Sequence, residues 1–501
     1  MMRPSPSHEL RTLIVSFHPL IAIETAEEDR VRSILRQAAT ELSMGLFEWS
    51  VTRGLRRTER GGVLGACMLK TEQPLGALRH IEGLTVEGIY LLKDFAPFLK
   101  DPAVARQLRE LAQHFTRTRS ALVLTGSNVE LPEETRHLCV YYDLALPGED
   151  ELRQVLEGVL CSLADGDRVT VDLLPEEQQQ IVRALRGLTL NEARQAVAHA
   201  VLTDAKLGPG DVEGILDRKA QLLRDGGLLE YHPAADNPSR LAGFPRLKSW
   251  LERARMGFSP EARALGLRPP KGLLILGVQG CGKSLAARAI ARSWTLPLVK
   301  LDFGRLYDAY IGNSERNLRK ALAQAESLAP VVLWIDEIEK GLGGGTGPGR
   351  ADGGVSRRIF GSLLTWLQEK SAEIFVVATA NTVHELPPEL LRKGRFDEIF
   401  FVDLPTPDER REIFCIHLEL RDQDPARFDL DTLIQASDGF SGAEIEQATI
   451  AGLYRALHGR TALTTELLLA ELRETRPLSV SRHEDLVRLR EFARDRFVPV
   501  A

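Results

Sequence analysis

Short apolar runs followed by polar turns recur along this chain. Pro19-Leu20-Ile21-Ala22-Ile23, Ile89-Tyr90-Leu91-Leu92, Ala121-Leu122-Val123-Leu124, Leu273-Leu274-Ile275-Leu276, Val331-Val332-Leu333-Trp334-Ile335 and Ile374-Phe375-Val376-Val377-Ala378 all fit this pattern. Such runs, apolar at every position and bounded by turn formers, read as strands buried on both faces of a sheet. The Ala-rich stretch Leu285 to Trp294 reads as a helix. Alternating strand and helix predicts an α/β fold with parallel strands, whose ligands collect at the carboxyl ends of the strands.

One of those strand ends carries Gly277-Val278-Gln279-Gly280-Cys281-Gly282-Lys283-Ser284, followed by Leu285. A G-x-x-x-x-G-K-S segment between a strand and a helix is a P-loop. Its glycines let backbone N–H groups curl around a triphosphate, and the helix start adds positive dipole. Lys283 would reach the β- and γ-phosphates and Ser284 would offer its hydroxyl to Mg²⁺. The motif alone does not separate ATP from GTP. Val331 to Ile335 then runs into Asp336 and Glu337. Asp336 is placed for the Mg²⁺ shell, and Glu337 to orient or deprotonate an attacking water. The next strand ends at Asn381, within reach of the γ-phosphate or that water. Arg392 and Arg395 flank a Gly turn as an anion clamp or as a solvated surface pair.

Composition narrows the class without naming a ligand. The chain has 501 residues, enough for two or more domains, with 27% charged residues and a net charge of -6. That charge, with no basic-aromatic patch, disfavours nucleic acid as a partner. The five cysteines form no C-x-x-C, which suits a reducing cytosol better than a disulfide or zinc framework. No apolar run approaches a bilayer span, so a soluble, cytoplasmic protein without a membrane partner is expected. His384-Glu385-Leu386-Pro387-Pro388 begins like a zinc-protease motif but lacks the second His, and its prolines forbid the helix.

Taken together, residues 240–475 resemble one complete module of the AAA family of ATPases. Leu241-Ala242-Gly243 with Leu247-Lys248 is similar to the segment leading into that module, and Ser356-Arg357-Arg358 to its second homology region. Asn381 is similar to its first sensor, and Gly439-Phe440-Ser441-Gly442-Ala443-Glu444 to its second. The resemblance implies ATP as nucleotide, His417 packed against adenine, Gly442 and Ala443 near the ribose, and Arg392 and Arg395 as fingers completing a neighbour's site. A homo-oligomeric ring, with a hexamer as the expected size, and a protein client follow from the same likeness. Tyr310-Ile311-Gly312 resembles the loop that grips polypeptide in the ring channel; a Tyr packed on its own domain is the other reading. Leu342 to Gly354 is Gly-rich and reads as a mobile loop or a linker.

The first half repeats the pattern in damaged form. Ala121 to Pro132 parallels Val376 to Pro387, Tyr142-Asp143-Leu144 parallels Val402-Asp403-Leu404, and Gly187 to Ala193 echoes the second sensor. Ile89 to Phe95 parallels the strand ending at Asp336, with Phe95 at the position of Glu337. No glycine series and no lysine follow Pro19 to Thr25; Glu24, Glu27, Glu28 and Asp29 stand there instead, and would repel a triphosphate. The expected architecture is therefore a P-loop NTPase (AAA) α/β module with a helical lid, preceded by a degenerate AAA-like α/β domain lacking the P-loop. Its expected divisions are 8–165 for the degenerate domain, 166–225 for a lid-like segment, 226–257 for linker and lead-in, 258–408 for the ATPase core, 409–475 for its lid and 476–501 for a tail. The whole chain is similar to the AAA ATPases encoded by a plastid open reading frame and their bacterial relatives.

Overall fold

The computed structural model describes residues 5–59, 63–164, 170–171, 174–204, 206–207, 211–225, 228–232, 241–303, 314–341, 355–370, 372–383, 386–392, 394–494 and 496–500. Tyr310 and Ile311, the Gly-rich stretch 342–354, and His384 with Glu385 lie outside the described residues. The chain divides into two units, Met1–Asp165 with Leu188–Ala198, and Gly166–Gly187 with His199–Ala501.

The first unit is built on a seven-stranded sheet: β1 Leu20–Glu24, β2 Gly45–Ser50, β3 Gly54–Thr58, β4 Leu64–Cys67, β5 Gly88–Lys93, β6 Ala121–Gly126 and β7 Cys139–Tyr141. The order across it is β4-β3-β2-β5-β6-β1-β7. Strands β2, β5, β6, β1 and β7 run parallel, and β3 and β4 add an antiparallel edge. The second unit holds another seven strands: β8 Leu229–His232, β9 Gly272–Gly277, β10 Leu298–Leu301, β11 Val331–Ile335, β12 Ile374–Ala380, β13 Glu398–Val402 and β14 Val498–Pro499. Their order is β8-β10-β11-β12-β9-β13-β14, with only β8 antiparallel.

Five parallel strands therefore follow one order in both units: β2-β5-β6-β1-β7 and β10-β11-β12-β9-β13. Every residue of β9, β11 and β12 is buried, which is why these strands read as unbroken apolar runs. Helices cover both faces. In the second unit Leu274, Leu333 and Val376 pack on one side, and Ile275, Trp334 and Phe375 on the other. A separate cluster around Phe414, Leu433, Ile445 and Leu468 forms the core of a helical lid.

Two expected boundaries are corrected. Leu229–His232, expected within a linker, joins the second sheet, where Leu229 and Tyr231 face inward and are buried. Residues 476–501, expected as a short helix or tail, contain the helix His483–Ala493 and add the edge strand β14 to the sheet. In both cases the residues that pair lie far apart in sequence, so local pattern carries no sign of the contact.

Candidate functional site

Strand β9 ends at Gly277, whose φ of 150° and 2.0 Å approach of a built Cβ to the Val402 carbonyl exclude any side chain. Gly280 (φ 77°) and Gly282 (φ 85°) take left-handed conformations that turn the backbone into helix α3, Lys283–Trp294, which follows α1 (Glu28–Leu42) and α2 (Leu190–Asp204) in the chain. Lys283 is only 5% exposed. Its ammonium donates to the carbonyls of Gly277 at 2.9 Å and Val278 at 2.7 Å. Burial lowers its pKa to about 8, and the same burial pushes the neighbouring Cys281 thiol up to about 12. An ammonium buried at a helix start, among turned-out backbone, is a site suited to a polyanion.

The carboxylates meet this cradle at the strand ends. Ser284 Oγ donates to Asp336 Oδ1 at 3.2 Å, and Thr379 Oγ1 donates to the same oxygen at 2.7 Å. Lys300 Nζ lies 3.5 Å from Asp336 Oδ2. The Glu337 backbone N–H donates to Thr379 Oγ1 at 3.1 Å, and Glu337 itself takes φ 49°. That left-handed backbone is uncommon for a non-glycine residue and concentrates at functional sites. Asn381 Nδ2 donates to Glu337 Oε1 at 3.0 Å, while Lys340 pairs with the other oxygen. Behind them Glu339 is buried, accepts the Asn381 N–H at 2.9 Å, and has its pKa raised by desolvation. Among the described residues no group of three His, Cys, Asp or Glu side chains could hold a metal. The Ser284 hydroxyl and Asp336 carboxylate nonetheless fit Mg²⁺, which takes a few protein oxygens and completes its shell with phosphate and water.

These groups share one cavity of about 1020 Å³. Gln279 to Leu285, Asp336, Glu337 and Asn381 line it from the sheet, and His417, Gly442 and Ala443 from the lid. Two lid helices supply the latter: α4, Pro407–Glu419, and α5, Gly442–Gly459. Each opens on a capping box, Thr406 with Glu409 and Ser441 with Glu444. The Ala443 N–H donates to the Gly280 carbonyl at 2.9 Å, which joins lid to P-loop. Arg421, which can only donate, bonds His417 Nδ1 at 3.3 Å, and burial lowers the His417 pKa.

Arg392 and Arg395 do not line the cavity. They precede β13, beside Asp397, whose carboxylate accepts the N–H groups of Lys271 and Gly272 at the start of β9. The P-loop leaves the other end of that strand, roughly 16 Å away at ~3.3 Å per residue. Arg395 donates to Gln368, and Arg392 is exposed. Sequence reading missed Thr379, Lys300 and Glu339. A hydroxyl in the otherwise apolar β12 was the available signal for Thr379; the other two required the register of the sheet.

Two comparisons bear on this arrangement. Residues 273–404 match the family model described as ATPase family associated with various cellular activities (AAA). Residues 6–144 match the SpoVK-like AAA ATPase N-terminal domain, and residues 150–226 its second domain. The AAA domain-containing protein ycf46 of Trieres chinensis, named as uncharacterized, is 36% identical over 97% of this chain and 96% of its own length. This chain belongs to the AAA ATPase family. The same protein of Guillardia theta is 35% identical over 97% of this chain and 94% of its own length, and that of Pyropia yezoensis 35% over 98% of each. Nucleotide binding follows from the family. No described helix is long and apolar enough to cross a membrane.

The AAA-like first module can now be laid over the P-loop module by strand register. Thr125 stands beside Ile23 in β1 as Thr379 stands beside Ile275 in β9. Lys93 pairs with Thr125 across β5 and β6, which makes Lys93 the counterpart of Asp336. Asp94, at φ 48°, then matches Glu337 at φ 49°. The expected alignment of Phe95 with Glu337 is therefore corrected by one residue; Phe95 is fully buried, with its ring 4.9 Å from that of Trp49.

The charges are inverted. Lys300 pairs with Asp336 in the P-loop module; Glu48 stands at the register position of Lys300 and lies 3.3 Å from Lys93. Helix α1 opens on Glu28 where α3 opens on Lys283, and Glu28 lies 3.6 Å from Lys93. Arg30 bonds Glu151 through two 2.9 Å hydrogen bonds and Glu27 at 3.2 Å. Glu27 in turn accepts the N–H of Leu190, at the start of α2, at 2.7 Å. Of the carboxylates expected to repel a triphosphate, Glu27 and Glu28 are paired within the chain. The second-sensor echo is geometric as well, since Thr189 bonds Glu192 as Ser441 bonds Glu444.

Proposed function

We propose that this AAA protein is a Mg²⁺-dependent ATP hydrolase that works as a homo-oligomeric ring, a hexamer, and couples turnover to remodelling a protein client in the cytoplasm. The observation that carries hydrolysis is the Asn381–Glu337 hydrogen bond, beside Asp336 and Ser284 and at the mouth of the Lys283 cradle. Lys283 and the Gly277–Gly282 amides bind the phosphates. Ser284 and Asp336 hold Mg²⁺, which when bound neutralises phosphate charge. Asn381 orients Glu337, and Glu337 orients the attacking water and takes its proton. His417, Gly442 and Ala443 receive the nucleoside.

Arg392 and Arg395 lie too far from their own cavity to assist it, which supports a role toward a neighbouring subunit. A guanidinium supplied that way is worth ~10³–10⁵ in rate where it operates. Tyr310 and Ile311 remain the proposed client grip. The first module binds no nucleotide, because its counterpart site is inverted in charge and closed on itself.

Glu337→Gln tests the reading. It should bind ATP normally and hydrolyse it ~10²–10⁴ times more slowly; unchanged turnover would assign the water to another group. A second reading, a nucleotide-gated scaffold with slow hydrolysis, draws support from the engagement of both Glu337 oxygens by Asn381 and Lys340. On that reading Lys340→Ala speeds basal turnover several-fold; on the first it leaves turnover unchanged.

A further inference from the structure

Residues 477–500 touch the lid, the hinge and the rim of the nucleotide cavity, although their sequence resembles no nucleotide motif. The Leu478 N–H donates to Glu444 Oε1 at 2.7 Å, while Glu444 Oε2 clasps Ser441, one residue before the cavity-lining Gly442. Helix α6, His483–Ala493, follows and buries Leu486 against the core that holds Ala286 and Ile290 of α3. Arg490 then grips Asp403 with Nε and Nη2, at 2.8 and 2.7 Å. Asp403 lies in the hinge between β13 and the lid, and itself lines the cavity.

The chain next adds β14 beside β13, with the Val500 N–H donating to Phe401 O at 3.1 Å. The Val500 carbonyl accepts the Arg246 N–H at 3.1 Å, which ties down the Leu241–Phe244 stretch on the cavity rim. Pro499 and Val500 complete the wall, and Val500 is only 4% exposed. The lid thus has two covalent connections to the sheet: the hinge through Leu404, and this segment, pinned at Glu444, Asp403 and Arg246.

We infer that residues 477–500 form a strap that builds one wall of the nucleotide cavity and transmits lid position to the edge of the sheet, with Arg490 a positioning residue acting through Asp403. Nucleotide drawing Gly442 and Ala443 toward the P-loop loads the Glu444 end of the strap. The inference rests on the cavity being the nucleotide site. Arg490→Gln removes the charged grip while leaving helix α6 its apolar face. It should weaken ATP binding and raise the ATP KM about fivefold, the worth of a partly exposed bidentate pair, with kcat nearly unchanged. Arg488→Ala, an exposed neighbour on the same helix, should change neither.

In the unaltered protein, ATP should slow hydrogen exchange at residues 478–482 and 498–500 together with 441–444. Protection confined to 441–444, or equal ATP affinity in Arg490→Gln and wild type, overturns the strap. A parallel fall in kcat and thermal stability with unchanged KM would make the segment merely structural and also overturns it. Failure of wild type to bind ATP at all would instead refute the nucleotide site.

Discussion

The P-loop module and the first module share five strands in one order, yet treat charge at the strand ends in opposite ways. In the P-loop module, cationic Lys283 is buried facing an open cavity, with Asp336 and Glu337 across from it. In the first module Glu28 stands at the position of Lys283, Lys93 at that of Asp336, Asp94 at that of Glu337 and Glu48 at that of Lys300, and the loop after β1 has shrunk to Thr25-Ala26-Glu27 before α1 begins. Among the described residues Lys283 has only backbone carbonyls as hydrogen-bond partners and so keeps its charge for an anionic ligand, whereas Glu28, Glu48 and Lys93 neutralise one another within the chain. The comparison teaches that loss of a nucleotide site need not mean loss of fold. The latch between lid and loop persists, made by backbone in one module (Ala443 to Gly280) and by a carboxylate in the other (Leu190 to Glu27).

The largest effect that sharpens this contrast comes from Lys283→Ala, which removes the cavity's buried ammonium. A charged hydrogen bond is worth up to ~3 kcal/mol, so ATP affinity should fall by up to about a hundredfold. A titration with fluorescent nucleotide showing near-normal affinity would break the comparison at its root. Arg30→Ala should act on the other side. It strands Glu27 without its guanidinium, and deleting one partner of a buried pair costs about 3–5 kcal/mol. Hydrogen exchange across residues 20–151 should accelerate while ATP affinity is untouched; a matching loss of affinity would mean the first module does hold nucleotide.

The smallest effect is in pH. Burial sets the free Lys283 pKa at about 8, and phosphate favours the charged form, so binding takes up a proton once the free lysine has lost its own. Affinity is therefore full below pH 8 and falls above it. Between pH 7 and pH 9 it should weaken about tenfold, as the protonated fraction of the free site drops by that factor. A flat profile would show that the ammonium is not the phosphate partner.

Much of the P-loop site was legible because its chemistry is local. Gly277 to Ser284 sit between an apolar run and a helix; Asp336, Glu337 and Asn381 each follow a strand, so strand ends alone point to them. The resemblance between the halves was legible too, but its register was not. Placing Asp94 opposite Glu337 requires the pairing of Lys93 with Thr125, a contact 32 residues apart that no local pattern encodes. For the same reason the charge reversal between Lys300 and Glu48 could not be seen, nor the pairing of Glu27 with Arg30 and of Glu28 with Lys93. Leu229–His232 and Val498–Pro499 are edge strands a few residues long, with too little periodicity to stand out from linker.

Calorimetric titration of the full chain with ATP and Mg²⁺ tests the central claim most directly. The account predicts one nucleotide per chain and none in Lys283→Ala. Two nucleotides per chain, or one surviving in the variant, would place a working site in the first module and contradict the account.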